Sequence, residues 1–378
     1  MLCETRGKYP REGIYMEGIG GIFVMKWKTG ALLLAVLTAA CALLIFPAQA
    51  TQGAKNGIGY CLEVLVPSLY PFMVLSVFVV KSGLARKAGG CLEGLTQKIF
   101  RLPGSAAPTL LMSLIGGDPA GARSVAALYE DGEISQSQAE RMLGFCVNAG
   151  PSFVITAVGA GFLKSPRAGA LLFTSQMIVF LLLGIGCGLT ARREEPHAGD
   201  RKYRKETSIS QALVVSAADA ARSTVNMCCF VILFAALMNL LRMVCTDPVK
   251  SAGLSALLEV TGGCSDLARL GMPPWAVSAA IGWGGVCVHF QVFSTLTELN
   301  FSKVRFAAFR LLQALFSAVV SWGLMLLFPG TKETFCSFAG PVYGALSSTP
   351  AATVALLVLC LALLLSLPRK PMEITRIK

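Results

Sequence analysis

The chain has 378 residues, of which 54% are hydrophobic and 14% charged, and its 33 Lys and Arg against 21 Asp and Glu leave a formal net charge of +12. Soluble domains carry nearer a quarter charged residues, and the mean hydropathy of +0.64 excludes a soluble enzyme, a secreted domain and a disordered chain. Apolar stretches at 29–46, 168–189, 224–244, 306–328 and 353–367 have about the length that crosses a bilayer. The 13 Cys are odd in number and contain no Cys-x-x-Cys spacing, so they read as small apolar core residues, not a disulfide framework. With only His197 and His289, a His-based metal site has almost no raw material.

In chain order, residues 1–28 form a basic segment (Arg6, Lys8, Arg11, Lys26, Lys28). No cleavable leader pattern follows, so the helix from 29 is expected to be retained, with a loop running to 56. A span is expected at 57–80, followed by a basic cluster between Lys81 and Arg101. The stretch 107–128 is broken at Gly116-Gly117-Asp118-Pro119 and reads as a re-entrant hairpin of two half-helices. An amphipathic stretch at 129–142 leads to a span at 144–163, interrupted at Asn148-Ala149-Gly150-Pro151, and to a span at 168–190. A basic linker, 191–222, separates this first repeat from a second. There a span at 223–244 precedes a hairpin at 252–270, broken at Gly262-Gly263-Cys264-Ser265. A span at 273–298 is interrupted at Gly282-Trp283-Gly284-Gly285, and one at 306–328 closes the repeat. An outer loop, a last helix near 350–367 and a basic tail occupy 329–378. Basic loops stay on the cytoplasmic side, which puts both termini in the cytoplasm and orients the two hairpins from opposite faces.

The sequence therefore predicts an all-α, polytopic helical membrane protein with repeats at 57–190 and 223–328 related by inversion. Secondary transporters share this pattern, with their substrate site near the midplane. The runs Gly116 to Arg123, Phe145 to Phe153, Leu258 to Cys264 and Gly284 to Val292, taken in order, resemble the YlbJ-type sporulation integral membrane proteins, which carry a nucleoside-recognition Gate domain. The resemblance covers roughly 57–330. It implies an endospore-forming bacterium, a cell membrane location such as the outer forespore membrane, a fold like that of concentrative nucleoside transporters, and movement of dipicolinate toward the forespore.

Intramembrane ionisable groups are functional candidates by default. Asp118, at the first tip beside Gly117, reads as a proton or cation site or as the N-cap of the outgoing half-helix. Arg123 reads as a carboxylate fork or as a partner of Asp118. In the second hairpin Glu259, Asp266 and Arg269 repeat the order of acid before base, and Asp266 and Arg269 have the spacing of an intrahelical pair. Asn148, Gly150, Pro151 and Ser152 leave free N–H groups at a half-helix start, an anion-attracting end. Gly263, Cys264, Gly284 and Gly285 would let backbone or ligand approach closely, and His289 and Gln291 follow the second break. A dicarboxylate such as dipicolinate would be held by the half-helix end with Arg123, Arg269 or His289. A nucleoside would use Asn148, Gln291, Glu259 and Asp118.

The rival classes are an intramembrane enzyme and a membrane scaffold. The first is disfavoured because Ile115 breaks a Gly-x-Gly-Asp element and no second catalytic Asp sits within a span. No ATP-binding loop is present, so concentrating work would come from an ion gradient, a substrate gradient or a partner; no cofactor is expected beyond a coupling ion. The expected partners are the small-molecule anion or nucleoside, the lipid bilayer, and a second copy or another sporulation membrane protein, with no nucleic acid.

Overall fold

The computed structural model describes residues 30, 33, 34, 36–84, 93–191, 208–296 and 299–328. The basic N-terminal segment, half of the basic linker (192–207), the outer loop and the last helix lie outside the described residues. Among the described residues every regular element is helical. Among the described residues four helices are long and apolar enough to cross a membrane, or five if a bent pair counts as one span. The fold is that of a polytopic helical membrane protein.

That bent pair is α1 (Val36–Ile45) and the helix beginning at Pro47, which diverge by 100° at Phe46. The expected loop up to residue 56 is instead helical: α2 (Pro47–Tyr60) passes through a π turn (Cys61–Leu65) into α3 (Val66–Lys81). Pro47 in the first turn costs no hydrogen bond there, because the first N–H groups of a helix have no intrahelical acceptor. Against this rod lies α9 (Ile209–Val244), 36 residues long and so about 54 Å at 1.5 Å per residue. It extends well before the expected start at 223.

The two rods run antiparallel. Gly57 meets Ile232 and Gly53 meets Ala235 and Ala236, with no side chain to hold the backbones apart. At one end the Asn239 side chain donates to the Gln49 carbonyl at 2.7 Å. At the other, Lys81 pairs with Asp219 at 2.7 Å. Asp219, within the segment expected to be a linker, is thus tied to the end of α3.

Between the rods in sequence lie α4 (Ala107–Gly116), α5 (Asp118–Glu130), α6 (Gln136–Cys146), a π-type helix α7 (Ser152–Phe162) and α8 (Pro166–Leu189). After α9 come α10 (Pro248–Leu258), α11 (Val260–Arg269), α12 (Pro274–Trp283), α13 (Gly285–Thr295) and α14 (Lys303–Leu327). The packing pairs equivalent elements of the two halves. Helix α5 packs on α13 and α11 on α7, while α8 packs on both α12 and α14, and α14 on α6. Such reciprocal pairing is what a two-fold relation requires. Because α3 and α9, the first elements of the two halves, run antiparallel, that relation inverts one half against the other.

The spans are joined inside by hydrogen-bonded polar groups as well as by apolar packing. Gln176 of α8 donates to the Ser278 carbonyl of α12 at 3.2 Å and accepts from Ser317 of α14 at 3.1 Å. Ser278 in turn donates to the Ser317 carbonyl at 3.1 Å. In an apolar surround these groups must find partners within the bundle.

Candidate functional site

Both hairpins and both interrupted spans are present, and each tip rests on the break of its own half. At the first tip Gly117 has φ of +80° between α4 and α5, a conformation that favours glycine. It lies against Gly150, so closely that a Cβ on Gly117 would stand 3.3 Å from the Gly150 nitrogen. Residues 147–150 are non-helical, as the Asn148 to Pro151 sequence predicts. In the second half Gly284 takes a left-handed conformation (φ +78°, ψ −8°) between α12 and α13. Gly285 beside it abuts the backbone of Leu258, Glu259 and Val260. The Trp283 indole N–H then donates to the Leu257 carbonyl at 2.9 Å, fastening the second break to the incoming hairpin arm.

The second tip is not at Gly262-Gly263-Cys264-Ser265 as expected. It lies at Glu259, and those four residues belong to α11. Glu259 is the N-cap of that arm: its carboxylate accepts from the Thr261 N–H at 2.7 Å and the Gly262 N–H at 2.5 Å, which answers two of the unpaired donors at the helix start. Gly263 has a packing role, since a Cβ there would collide with Ala256 on the incoming arm. Cys264 is buried in the same seam.

The buried cation that organises the centre is Arg310 of α14, 1% exposed. Its guanidinium donates to the Val147 carbonyl at the first break and to the Trp283 carbonyl at the second, the latter at 3.2 Å. It also reaches the Ile281 carbonyl at 3.5 Å and Gln313 Oε1 at 2.9 Å. One side chain therefore satisfies the carbonyl ends of both interrupted helices, where a positive charge is favoured. Gln313 continues the chain by donating to Asn148 Oδ1. The counter-charge is Asp118, 3.7 Å from Arg310 and 14% exposed.

Asp118 is the first helical residue of α5, preceded by Gly117 as N-cap, and no side-chain cap bond is made there. The expected capping role is corrected to an ion-pairing one. The expected pair of Asp266 with Arg269 is likewise replaced by Asp266 with Arg242 of α9. Arg123 is exposed and does not meet Asp118.

Tips and breaks together enclose a cavity of about 50 Å³. Six of the residues singled out from the sequence line it: Gly117, Asp118, Gly150, Glu259, Gly284 and Gln291. Leu65, Leu69, Met73 and Val231 from the two rods, with Phe153, Ile281 and Val288, supply apolar walls that the sequence reading did not mark. Asn148 is buried immediately behind, and Pro151, Ser152 and Gly285 support the breaks without lining the space. His289 faces away, into Trp283, Phe293 and Phe306 (ring centroids 4.5, 6.4 and 5.3 Å), with Nδ1 on the Gly285 carbonyl at 2.7 Å. Arg269 is exposed on the far side of the second tip. Two buried groups of opposite kind, the acceptor Asp118 Oδ1 and the donor Asn148 Nδ2, make no hydrogen bond among the described residues. Buried polar atoms left so are uncommon.

Arg310 and Gln313 are the functional candidates that sequence reading missed. The signal was an Arg inside the apolar stretch 306–328, but it is one of six Arg in or beside membrane segments, and the sequence does not say which of them turns inward.

Two halves meeting through broken helices at a buried polar centre make this a polytopic helical membrane protein. No family model matches the chain, and no solved structure does. The sequence is 29% identical over 351 residues to the sporulation integral membrane protein YlbJ of Bacillus subtilis (strain 168), a match covering 81% of this chain and 84% of that protein. The chain is thus similar along most of its length to a sporulation integral membrane protein.

Proposed function

We propose that the protein is a secondary carrier of sporulating cells, working by alternating access and moving a small organic anion of the dipicolinate kind toward the forespore. The observation that carries this reading is the convergence of both tips and both breaks on one cavity, the position at which such carriers bind their solute. Arg310 adds an anion-binding capacity: its Nη2 lies just behind Gly284, where a Cβ would approach it to 2.7 Å. A carboxylate reaches that guanidinium when Asp118, its present counter-charge, is neutralised, so the anion travels with a proton or another cation. The unpartnered Asn148 amide supplies a further donor. We propose no enzymatic activity, and a location in the cell membrane or outer forespore membrane.

A second reading, a nucleoside carrier, is favoured by the lining itself, which offers Asp118, Glu259 and Gln291 and none of Arg123, Arg269 or His289. Uptake of labelled dipicolinate and uridine into proteoliposomes separates the two. The expected result is saturable dipicolinate uptake, reduced at least about tenfold in Asn148→Ala, on the scale of one lost charge-assisted hydrogen bond. Saturable uridine uptake alone assigns the nucleoside reading. Uptake of neither solute, with the variant inert as well, leaves a membrane scaffold in which the buried polar residues are replaceable.

A further inference from the structure

A second cavity, about 320 Å³, opens on the other side of the second hairpin tip, between α2, α9 and the hairpin arms. Its walls carry Lys55, Tyr60, Glu63, Arg242, Glu259 and Arg269, a density of polar groups that requires water in a chain so apolar. Glu259 lines this cavity and the central one alike, so only the tip separates them.

The charges in it are not equally committed. Arg242 is engaged by Asp266. The Glu259 carboxylate is turned back onto the Thr261 and Gly262 N–H groups of its own helix. Lys55 and Arg269 form no ion pair or hydrogen bond with any described residue. That leaves two free cations in the same cavity as the uncommitted carboxylate of Glu63. The Tyr60 ring stands in the same wall, its hydroxyl 3.3 Å from Ser265 Oγ.

We propose that this outer cavity is a docking site for a small planar carboxylate anion, held by Lys55 and Arg269 with its ring against Tyr60, before the solute passes the Glu259 tip into the central cavity. The proposal rests on the carrier reading only for the second step, since docking itself needs no transport. A guanidinium presents a fork matched to a carboxylate, an ammonium a point charge. Two such groups lining one cavity fit a dicarboxylate better than a single acid.

The experiment uses the full chain purified in detergent, with labelled dipicolinate as the probe, acetate and uridine as comparison solutes, and Lys55→Ala with Arg269→Ala as the double variant. Both side chains are exposed, so the variant is expected to keep the wild-type unfolding temperature. Equilibrium binding is measured at low and high salt, and uptake is measured in parallel. Dipicolinate affinity should fall at least about tenfold in the double variant, the weight of one to two charge-assisted hydrogen bonds. Its salt dependence should shrink with it, and the maximal uptake rate should change much less than the half-saturation. Binding lost in the variant while even the wild type transports nothing upholds docking and sinks the carrier reading. Unchanged affinity and salt dependence in the variant, or no dipicolinate binding by the wild type, overturns the docking site whatever the uptake shows. Equal binding of acetate overturns the preference for a dicarboxylate.

Discussion

Arg310→Ala is expected to abolish uptake and to destabilise the protein by about 3–5 kcal/mol, the cost of breaking a buried ion pair by removing one partner. The variant orphans the carbonyls of Val147, Ile281 and Trp283 and releases Gln313, which now links Arg310 to Asn148. It also leaves the Asp118 carboxylate without its counter-charge. Two further variants separate these effects. Arg310→Lys keeps the charge but not the fork, so it should retain part of the stability while losing the tie between the two breaks. Arg310→Ala combined with Asp118→Asn should be more stable than Arg310→Ala alone, because the stranded negative charge has gone. Thermal unfolding in detergent reads the stability and proteoliposome uptake the function. A double variant no more stable than the single one would mean that Asp118 is not the partner that matters.

Gly121→Ala is expected to destabilise the chain although Ala is the better helix former by about 1 kcal/mol. Gly121 lies in α5 with its back against the first break, and a Cβ there would be driven into the Cys146 carbonyl oxygen and against Ser113. A backbone carbonyl at the end of α6 cannot rotate aside as a side chain can. Overpacking costs about 1–3 kcal/mol and exceeds the propensity gain. Gly186→Ala and Gly253→Ala are the controls, since nothing lies within 4 Å of a Cβ at either. They should be neutral or slightly stabilising. A lowered unfolding temperature and reduced uptake in Gly121→Ala alone is the expected pattern, and equal stability in all three would remove the close contact between tip arm and break from the account.

What the sequence made legible follows from which residues punctuate a helix. The first tip and both breaks stand where Gly-Gly-Asp-Pro, Asn-Ala-Gly-Pro and Gly-Trp-Gly-Gly place them, because proline and positive-φ glycine leave the backbone few alternatives. The second tip was displaced because Gly262 and Gly263 also look like punctuation. There the glycine at 263 serves contact with Ala256 inside a helix, and the chain turns at Glu259 through a side-chain cap. Partners distant in sequence were not legible. Asp266 has a basic residue three positions on, yet its structural partner Arg242 is on another helix. Arg310 is one of several Arg in or beside membrane segments, and only the packing of α14 against α6, α8 and α12 shows that it is the one turned inward to the centre.

The arrangement assigns one chemical duty to each irregular element. The breaks present carbonyl ends to Arg310, the first tip holds the counter-charge and the second tip divides the central cavity from the outer one. At about 50 Å³ the central cavity is too small for a six-membered ring with two carboxylates. On the carrier reading, a solute of that size enters the centre only when the tips part.

The central claim is that tips and breaks form the solute site, and an experimental structure with dipicolinate bound tests it most directly. The account predicts density for the solute between Asp118 and Asn148 on one side and the Glu259 tip on the other, in a cavity enlarged by movement of at least one hairpin. Density found only outside this space, at the lipid face or among the peripheral ends of the helices, with the centre still closed under saturating solute, would contradict it.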